Sequence, residues 1–114
     1  MKYGIMYKQG DILLIPIPFT DLSAYKKRPV LVISNNKYNA ANQDIIVAAM
    51  TSVITRQGIL INSSDLSNGT LPKTTLIRCD KIFTLNKAIV DKKIGAVSDI
   101  IMVNVIKSVI ELIS

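Results

Sequence analysis

Residues 11–35 read DILLIPIPFTDLSAYKKRPVLVISN, and this stretch decides the fold. Two apolar runs rich in β-branched residues, Ile12–Ile17 and Val30–Ile33, flank a polar segment that closes with three cations, Lys26, Lys27 and Arg28. The runs have the length and composition of strands, and the segment between them has the length of a long hairpin connection. Pro29 holds Arg28 in an extended backbone, because the proline ring clashes with an α conformation at the preceding residue. Arg28 is therefore expected at the base of the second strand, on stiff backbone beside a basic loop. An arginine held in this way suits a phosphate, which accepts two parallel hydrogen bonds from the guanidinium fork. The same three cations also read as a solvated loop that keeps the chain soluble, and charge alone does not separate the two readings.

Outward from this stretch, Met1–Gln9 is a leader that either supplies an edge strand or frays. MKYGIMYKQG has no apolar run of the kind a signal peptide needs. Pro16 and Pro18 remove backbone donors, so the first strand is predicted to end near Ile15 or to lie at a sheet edge. Phe19-Thr20-Asp21 opens the basic loop, where Asp21 has the chemistry of an Asx turn. Downstream, residues 35–43 (NNKYNAANQ) are rich in turn formers and predict a loop. The continuous apolar run DIIVAAM at 44–50 predicts a central strand buried on both faces, ending in the hydroxyls of Thr51 and Ser52. Short strands are predicted at 57–61, 74–79 and 83–85, with a turn or a single helical turn over 63–70. The polar stretch 86–95 predicts one helical turn closed by Gly95. Ser98 and Asp99 then suit the start of a terminal helix. There Met102, Val105, Ile106, Val109, Ile110 and Ile113 repeat at helical spacing, an amphipathic face expected to pack on the sheet. The whole predicts one α+β domain over 1–114, built on a small, strongly bent antiparallel sheet.

Composition narrows the function. With 114 residues the chain has room for one core. Hydrophobic residues make up 49% and charged ones 19%, and mean hydropathy is +0.36, which excludes a disordered chain. Trp is absent and aromatics are 5%, so the core must be aliphatic. So apolar a small domain leaves apolar surface uncovered, which favours a homodimer. The net charge of +6 suits a polyanion, either nucleic acid or an acidic protein segment. Cys79 is the only cysteine, so no intramolecular disulfide forms and a reducing cytoplasm fits best. No stretch is long and apolar enough to cross a membrane. Histidine is absent altogether, which excludes histidine metal sites, Ser–His catalysis and a histidine acid or base. No metal and no cofactor is expected.

The residues left to carry chemistry are Arg28, Thr51, Ser52, Arg78 and Asp80, with Asp21 and the lysines behind them. Each lies at or beside a strand end, where small barrels place their sites. RNA can be cut without a metal if its 2′-OH is held against the adjacent phosphate. A base then accepts the hydroxyl proton, an acid protonates the 5′ oxygen, and cations hold the charge on phosphorus. Asp80 is the candidate base, Arg28 and Arg78 the clamps, and Thr51 and Ser52 donors to a non-bridging oxygen. The acid is the difficult role, since an arginine parts with its proton reluctantly. Each residue also has a plain structural reading. Arg78 and Asp80, two apart on a strand, make a surface ion pair. Thr51 and Ser52 satisfy backbone groups at a strand end. Cys79, pointing the opposite way, fills core.

Four stretches together resemble the MazF/PemK family, the toxin half of toxin–antitoxin pairs: GDILLIPIPFTDLSAYKKRPVLVIS (10–34), VAAMTS (47–52), LIRCDKIFTL (76–85) and KIGAVSDIIMVNVIKSVIEL (93–112). They span nearly the whole chain in the family's order and spacing. The first is the most specific, with its Gly-Asp opening, Pro-Phe before the loop and Arg-Pro at the next strand. The resemblance implies a small SH3-like antiparallel β-barrel with a C-terminal helix, assembled as a homodimer. It implies a metal-independent endoribonuclease that cuts single-stranded RNA, usually mRNA, leaving 2′,3′-cyclic phosphate and 5′-OH ends. Carried over by residue, Arg28 matches the family arginine of the Arg-Pro pair, and Thr51 the threonine ending the third strand, with Ser52 beside it. Arg78 and Asp80 match an Arg-x-Asp pair that relatives use as acid and base. Some relatives place a histidine in the first loop; here Thr20 and Asp21 lie in that region, which leaves open which family mechanism applies. The loop 19–27, with Lys26 and Lys27, would gate an RNA groove, and an acidic antitoxin would cover the same surface. Two alternatives stand beside the nuclease: a toxin of the same fold that inhibits DNA gyrase without catalysis, and a silent barrel that only binds RNA or protein.

Overall fold

The computed structural model describes residues 6–18, 25–54 and 57–114. In chain order they form β1 (Asp11–Pro18), β2 (Tyr25–Val32), α1 (Asn36–Ala41), β3 (Asp44–Thr51), β4 (Ile59–Ile61), β5 (Leu66–Gly69), β6 (Thr75–Asn86), β7 (Lys92–Val97) and α2 (Asp99–Ile113), with 3-10 turns at Ser63–Asp65 and Lys87–Ile89. The seven strands make one sheet in the order β4-β6-β3-β2-β1-β7-β5, and every pairing is antiparallel. Register shifts interrupt the β1–β7, β3–β6 and β5–β7 ladders. Each such irregularity bends its strand and adds twist. The sheet accordingly curls as a half-barrel with the helix α2 at the C-terminal end of the chain.

Strand alternation sorts the aliphatic residues into two layers. On one face Ile12, Leu31, Ala48, Met50, Ile77 and Cys79 pack with Ile101, Met102 and Val105 of α2. On the other Leu13, Ile15, Val30, Val32, Ile45, Val47 and Leu85 form a second cluster. β3 lies between β6 and β2 and contributes to both layers, as its unbroken apolar run predicts. Cys79 is core, as its plain reading has it.

Several elements depart from expectation, each for a local reason. β1 runs on to Pro18 instead of stopping near Ile15. Its pairing with β7 covers only Asp11–Leu14, so the half carrying Pro16 and Pro18 is locally an edge. Leu14 accepts from Asp91 N–H (2.8 Å) on the side away from β2, and by alternation Pro16 and Pro18 also turn their nitrogens away from β2. Residues 35–43 are not a loop but hold α1. Asn35 caps it by accepting from Tyr38 N–H at 2.8 Å, and Asn39 is completely buried, donating to the Ser34 carbonyl at 2.9 Å. The two short strands predicted over 74–85 are one long strand, β6. The helical turn predicted before Gly95 is limited to Lys87–Ile89, and Gly95 lies inside β7. A Cβ at Gly95 would stand 2.8 Å from the Asn68 carbonyl oxygen, so close approach of β5 accounts for that glycine. The apolar stripe of α2 is wider than its core contact: Ile101, Met102 and Val105 are buried, whereas Ile106, Ile110 and Ile113 are exposed. The predicted Asx turn at Asp21 lies outside the described residues, and so do Thr20 and most of the basic loop.

Candidate active-site cleft

Residues directly opposite one another in an antiparallel ladder share a face, and this rule assembles the site. Arg28 sits opposite Ile15 and two residues before Val30, so its side chain leaves the sheet on the face of the second core cluster. Val30 faces Ala49 on β3, which places Thr51, two residues further, on the same face. On β6, Arg78 stands opposite Ala49, Leu76 opposite Thr51 and Phe83 opposite Val47. At this end of the sheet the face opens into a cleft of about 370 Å³. Arg28, Thr51, Arg78 and Lys81 supply its polar wall; Ile17, Val53 and Phe83 supply apolar wall.

The irregularity in β6 shapes this cleft. Ala48 pairs with Ile82, yet the next residue, Ala49, pairs with Arg78, so Cys79, Asp80 and Lys81 are extra on β6. Across this bulge Arg78 makes a two-pronged pair with Asp80, Nε to Oδ1 at 3.1 Å and Nη2 to Oδ2 at 3.0 Å. The hydrogen bond to Asp80, reinforced by its charge against the opposing effect of burial, pushes the Arg78 pKa above its ordinary value. Arg78 thus keeps its proton and presents a fixed charge to the cleft. Asp80, 44% exposed, joins the site through Arg78 instead of lining the cleft wall. Thr51 Oγ1 accepts from Val53 N–H at 3.1 Å, which turns the chain at the end of β3 and leaves the hydroxyl proton to donate.

The structure thus brings Arg28, Thr51, Arg78 and Asp80 together from three strands. It does not gather the other candidates with them. Ser52 is exposed beyond the end of β3 and is not among the cleft-lining residues. Lys26 is exposed opposite Ile17. Lys27, opposite Pro16, is turned to the other face and ion-pairs with Asp91 at 2.7 Å. Thr20 and Asp21 lie outside the described residues. Lys81 and Phe83 belong to the cleft and were not singled out from sequence. Their nearness to Arg78 and Asp80 in the chain was a signal, but their facing depends on the bulge. Among the described residues no three His, Cys, Asp or Glu side chains are grouped so as to hold a metal ion.

Residues 8–113 match the model of a family described as PemK-like, MazF-like toxin of type II toxin–antitoxin system. No curated protein matches the chain in sequence. Its structure is similar to that of an endoribonuclease in complex with its cognate antitoxin from a Mycobacterial species, with TM-score 0.68 and 23% identity over 92% of this chain and 89% of that one. An endoribonuclease from a Mycobacterial species is similar with TM-score 0.65 and 21% identity, over 95% and 90% of the two chains. The Mycobacterium tuberculosis toxin MazF-mt6 gives 0.59 and 14%, over 86% and 91%. At these identities the structural likeness speaks for a common fold.

Proposed function

The chain belongs to the PemK-like, MazF-like family of type II toxins, and on that premise we propose that it is a metal-independent endoribonuclease that cuts single-stranded mRNA at short sequences and so arrests translation and growth. The observation that carries this reading is the convergence of Arg28, Thr51 and the Arg78–Asp80 pair on one cleft. Three cations, Arg28, Arg78 and Lys81, line it, a wall that attracts a phosphodiester and repels a divalent metal ion.

The proposed chemistry is transfer of phosphorus from the 5′ to the 2′ oxygen of adjoining nucleotides. The 2′ oxygen forms its bond to phosphorus as the bond to the 5′ oxygen breaks. Asp80 takes the 2′ proton, and the Lys81 ammonium gives a proton to the departing 5′ oxygen. Lys81 suits that part better than Arg78, whose proton the Asp80 pair holds more tightly than usual. Arg28 and Arg78 stabilise the charge growing on the non-bridging oxygens, with a hydrogen bond from Thr51. The products are a 2′,3′-cyclic phosphate and a 5′-OH.

The proposal extends to assembly and partners. The chain acts as a single toxin domain in the cytoplasm; among the described residues no helix is long and apolar enough to cross a membrane. A homodimer is supported by apolar side chains left in water on α2, among them Ile100 at 74% and Ile113 at 79% exposed. An antitoxin partner is supported by the fold relative described in complex with its cognate antitoxin, and an acidic one would compete for the cationic cleft. The test is incubation of the purified protein with a long unstructured RNA in EDTA, followed by typing of the fragment ends. Discrete cuts with cyclic phosphate and 5′-OH termini, abolished by a 2′-deoxy sugar at the cut site, are expected. Intact RNA, or cuts that survive the 2′-deoxy change, would overturn the reading.

A further inference from the structure

Phosphate chemistry explains only half of the cleft. Beside Arg28, Arg78 and Lys81 stand Ile17, Val53 and Phe83, three apolar side chains that a phosphate does not need. Ile17 is 36% and Val53 60% exposed, and Phe83 is partly exposed at the edge of the second core cluster. Phe83 reaches this place because it pairs with Val47 immediately beyond the bulge that holds Asp80 and Lys81. It is the one aromatic among the described cleft residues, in a chain with two phenylalanines in all.

A flat apolar surface next to a phosphate clamp is what the face of a nucleobase requires. Unpaired bases stack on aromatic side chains while their backbone follows a cationic groove. We propose that Phe83, with Ile17 and Val53 as further apolar lining of the same cleft, forms a nucleobase-binding subsite that holds the base next to the clamped phosphate. The inference rests on the reading of the cleft as a single-strand RNA site and adds the residue that grips the base. The subsite orients the sugar by fixing the base attached to it, so the 2′ oxygen stays aligned with phosphorus. Stacking tolerates every base, so the ring grips the base without selecting among the four.

The test measures binding without cleavage. A pool of ten-nucleotide 2′-deoxy oligomers of random sequence is compared with an abasic 2′-deoxy ten-mer carrying the same phosphates. Wild type is expected to bind the base-bearing pool about tenfold tighter than the abasic chain, the usual size of one base stacked on an aromatic ring. Phe83→Leu keeps apolar packing and removes the ring; it should lower this ratio to below about twofold and leave abasic affinity unchanged. Phe83→Trp should keep the ratio. Thermal melts of each variant verify folding, and Phe83→Leu replaces Phe83→Ala because it protects the adjoining core. Equal binding of both oligomers by wild type, an undiminished ratio in Phe83→Leu, or no binding of either oligomer would overturn the subsite. A protein that shows the ratio but cuts no RNA would instead overturn the nuclease reading and leave the subsite standing.

Discussion

Arg78 and Asp80 are two residues apart on β6, and their side chains meet in a two-pronged ion pair over the bulge formed by Cys79, Asp80 and Lys81. A solvated pair of this kind contributes little to folding. Its value lies in where it aims the guanidinium, which cannot rotate out of the cleft while both prongs hold.

Asp80→Asn removes the proposed base and one charge of this pair. Cleavage should fall by about 10²–10⁴, the usual contribution of general base catalysis, with the urea midpoint almost unchanged. Cleavage within about threefold of wild type would reduce Asp80 to a residue that positions Arg78.

Two exposed lysines should behave differently despite equal charge. Lys27 is engaged by Asp91 on the opposite face, whereas Lys81 lines the cleft. Lys27→Ala is expected to change kcat/KM by less than about threefold, in keeping with a screened surface charge. Lys81→Ala should cost at least about 10²-fold in kcat, as loss of a general acid does. Single-turnover kinetics on one defined oligonucleotide would separate the two.

The buried amide that ties α1 to the sheet should matter to stability and not to chemistry. Asn39 Nδ2 donates to the Ser34 carbonyl at 2.9 Å, the Ser34 hydroxyl donates to Asn39 Oδ1, and Ile46 N–H donates to Ser34 Oγ at 3.0 Å. Asn39→Ala leaves buried groups of Ser34 without their partners, which costs about 1–3 kcal/mol. Urea unfolding would measure the loss, with the catalytic rate per folded molecule retained.

Alkaline pH should weaken the fold. Burial pushes the Cys79 thiol up, helped by the Asp80 charge and opposed by a hydrogen bond to Ser108. Burial, with the Asp11 charge, likewise raises the Tyr7 phenol. Both groups stay protonated in the folded chain at pH values where the unfolded chain has begun to release these protons. Stability is therefore fully present below the unfolded thiol pKa and falls as pH rises past about 9. Unfolding midpoints between pH 7.5 and 10.5 should decline, and the double variant Tyr7→Phe with Cys79→Val should flatten that decline.

How much of this was legible beforehand follows from the range over which each feature is determined. Pro29 alone gives the extended backbone of Arg28, since the restriction acts on the neighbouring residue, but not its place in the strand: β2 begins at Tyr25, so Arg28 lies inside it and not at its base. Arg78 and Asp80 could be paired from their spacing, because period two puts them on one face. Lys81 and Phe83 could not, since their direction depends on how β6 slips against β3, a relation between residues some thirty positions apart. The helix α1 was hidden because asparagine both forms turns and caps helices, and only the burial of Asn39 distinguishes the two. Gly95 was misread for a similar reason: a glycine that closes a helix and one that admits a neighbouring strand look alike in a sequence. The apolar repeat in α2 was correct as helix, but periodicity does not say what covers each side of it.

The proposed function requires that this cleft, through Arg28, cleaves RNA. Its most direct test is wild type beside Arg28→Ala on one long unstructured RNA in EDTA, at equal concentration of folded protein, with rates followed at each mapped cut. Wild type should make discrete cuts, and Arg28→Ala should cut the same positions about 10²–10³-fold more slowly, the usual loss on removing one donor from a developing oxyanion. Equal cutting by the two proteins would contradict it.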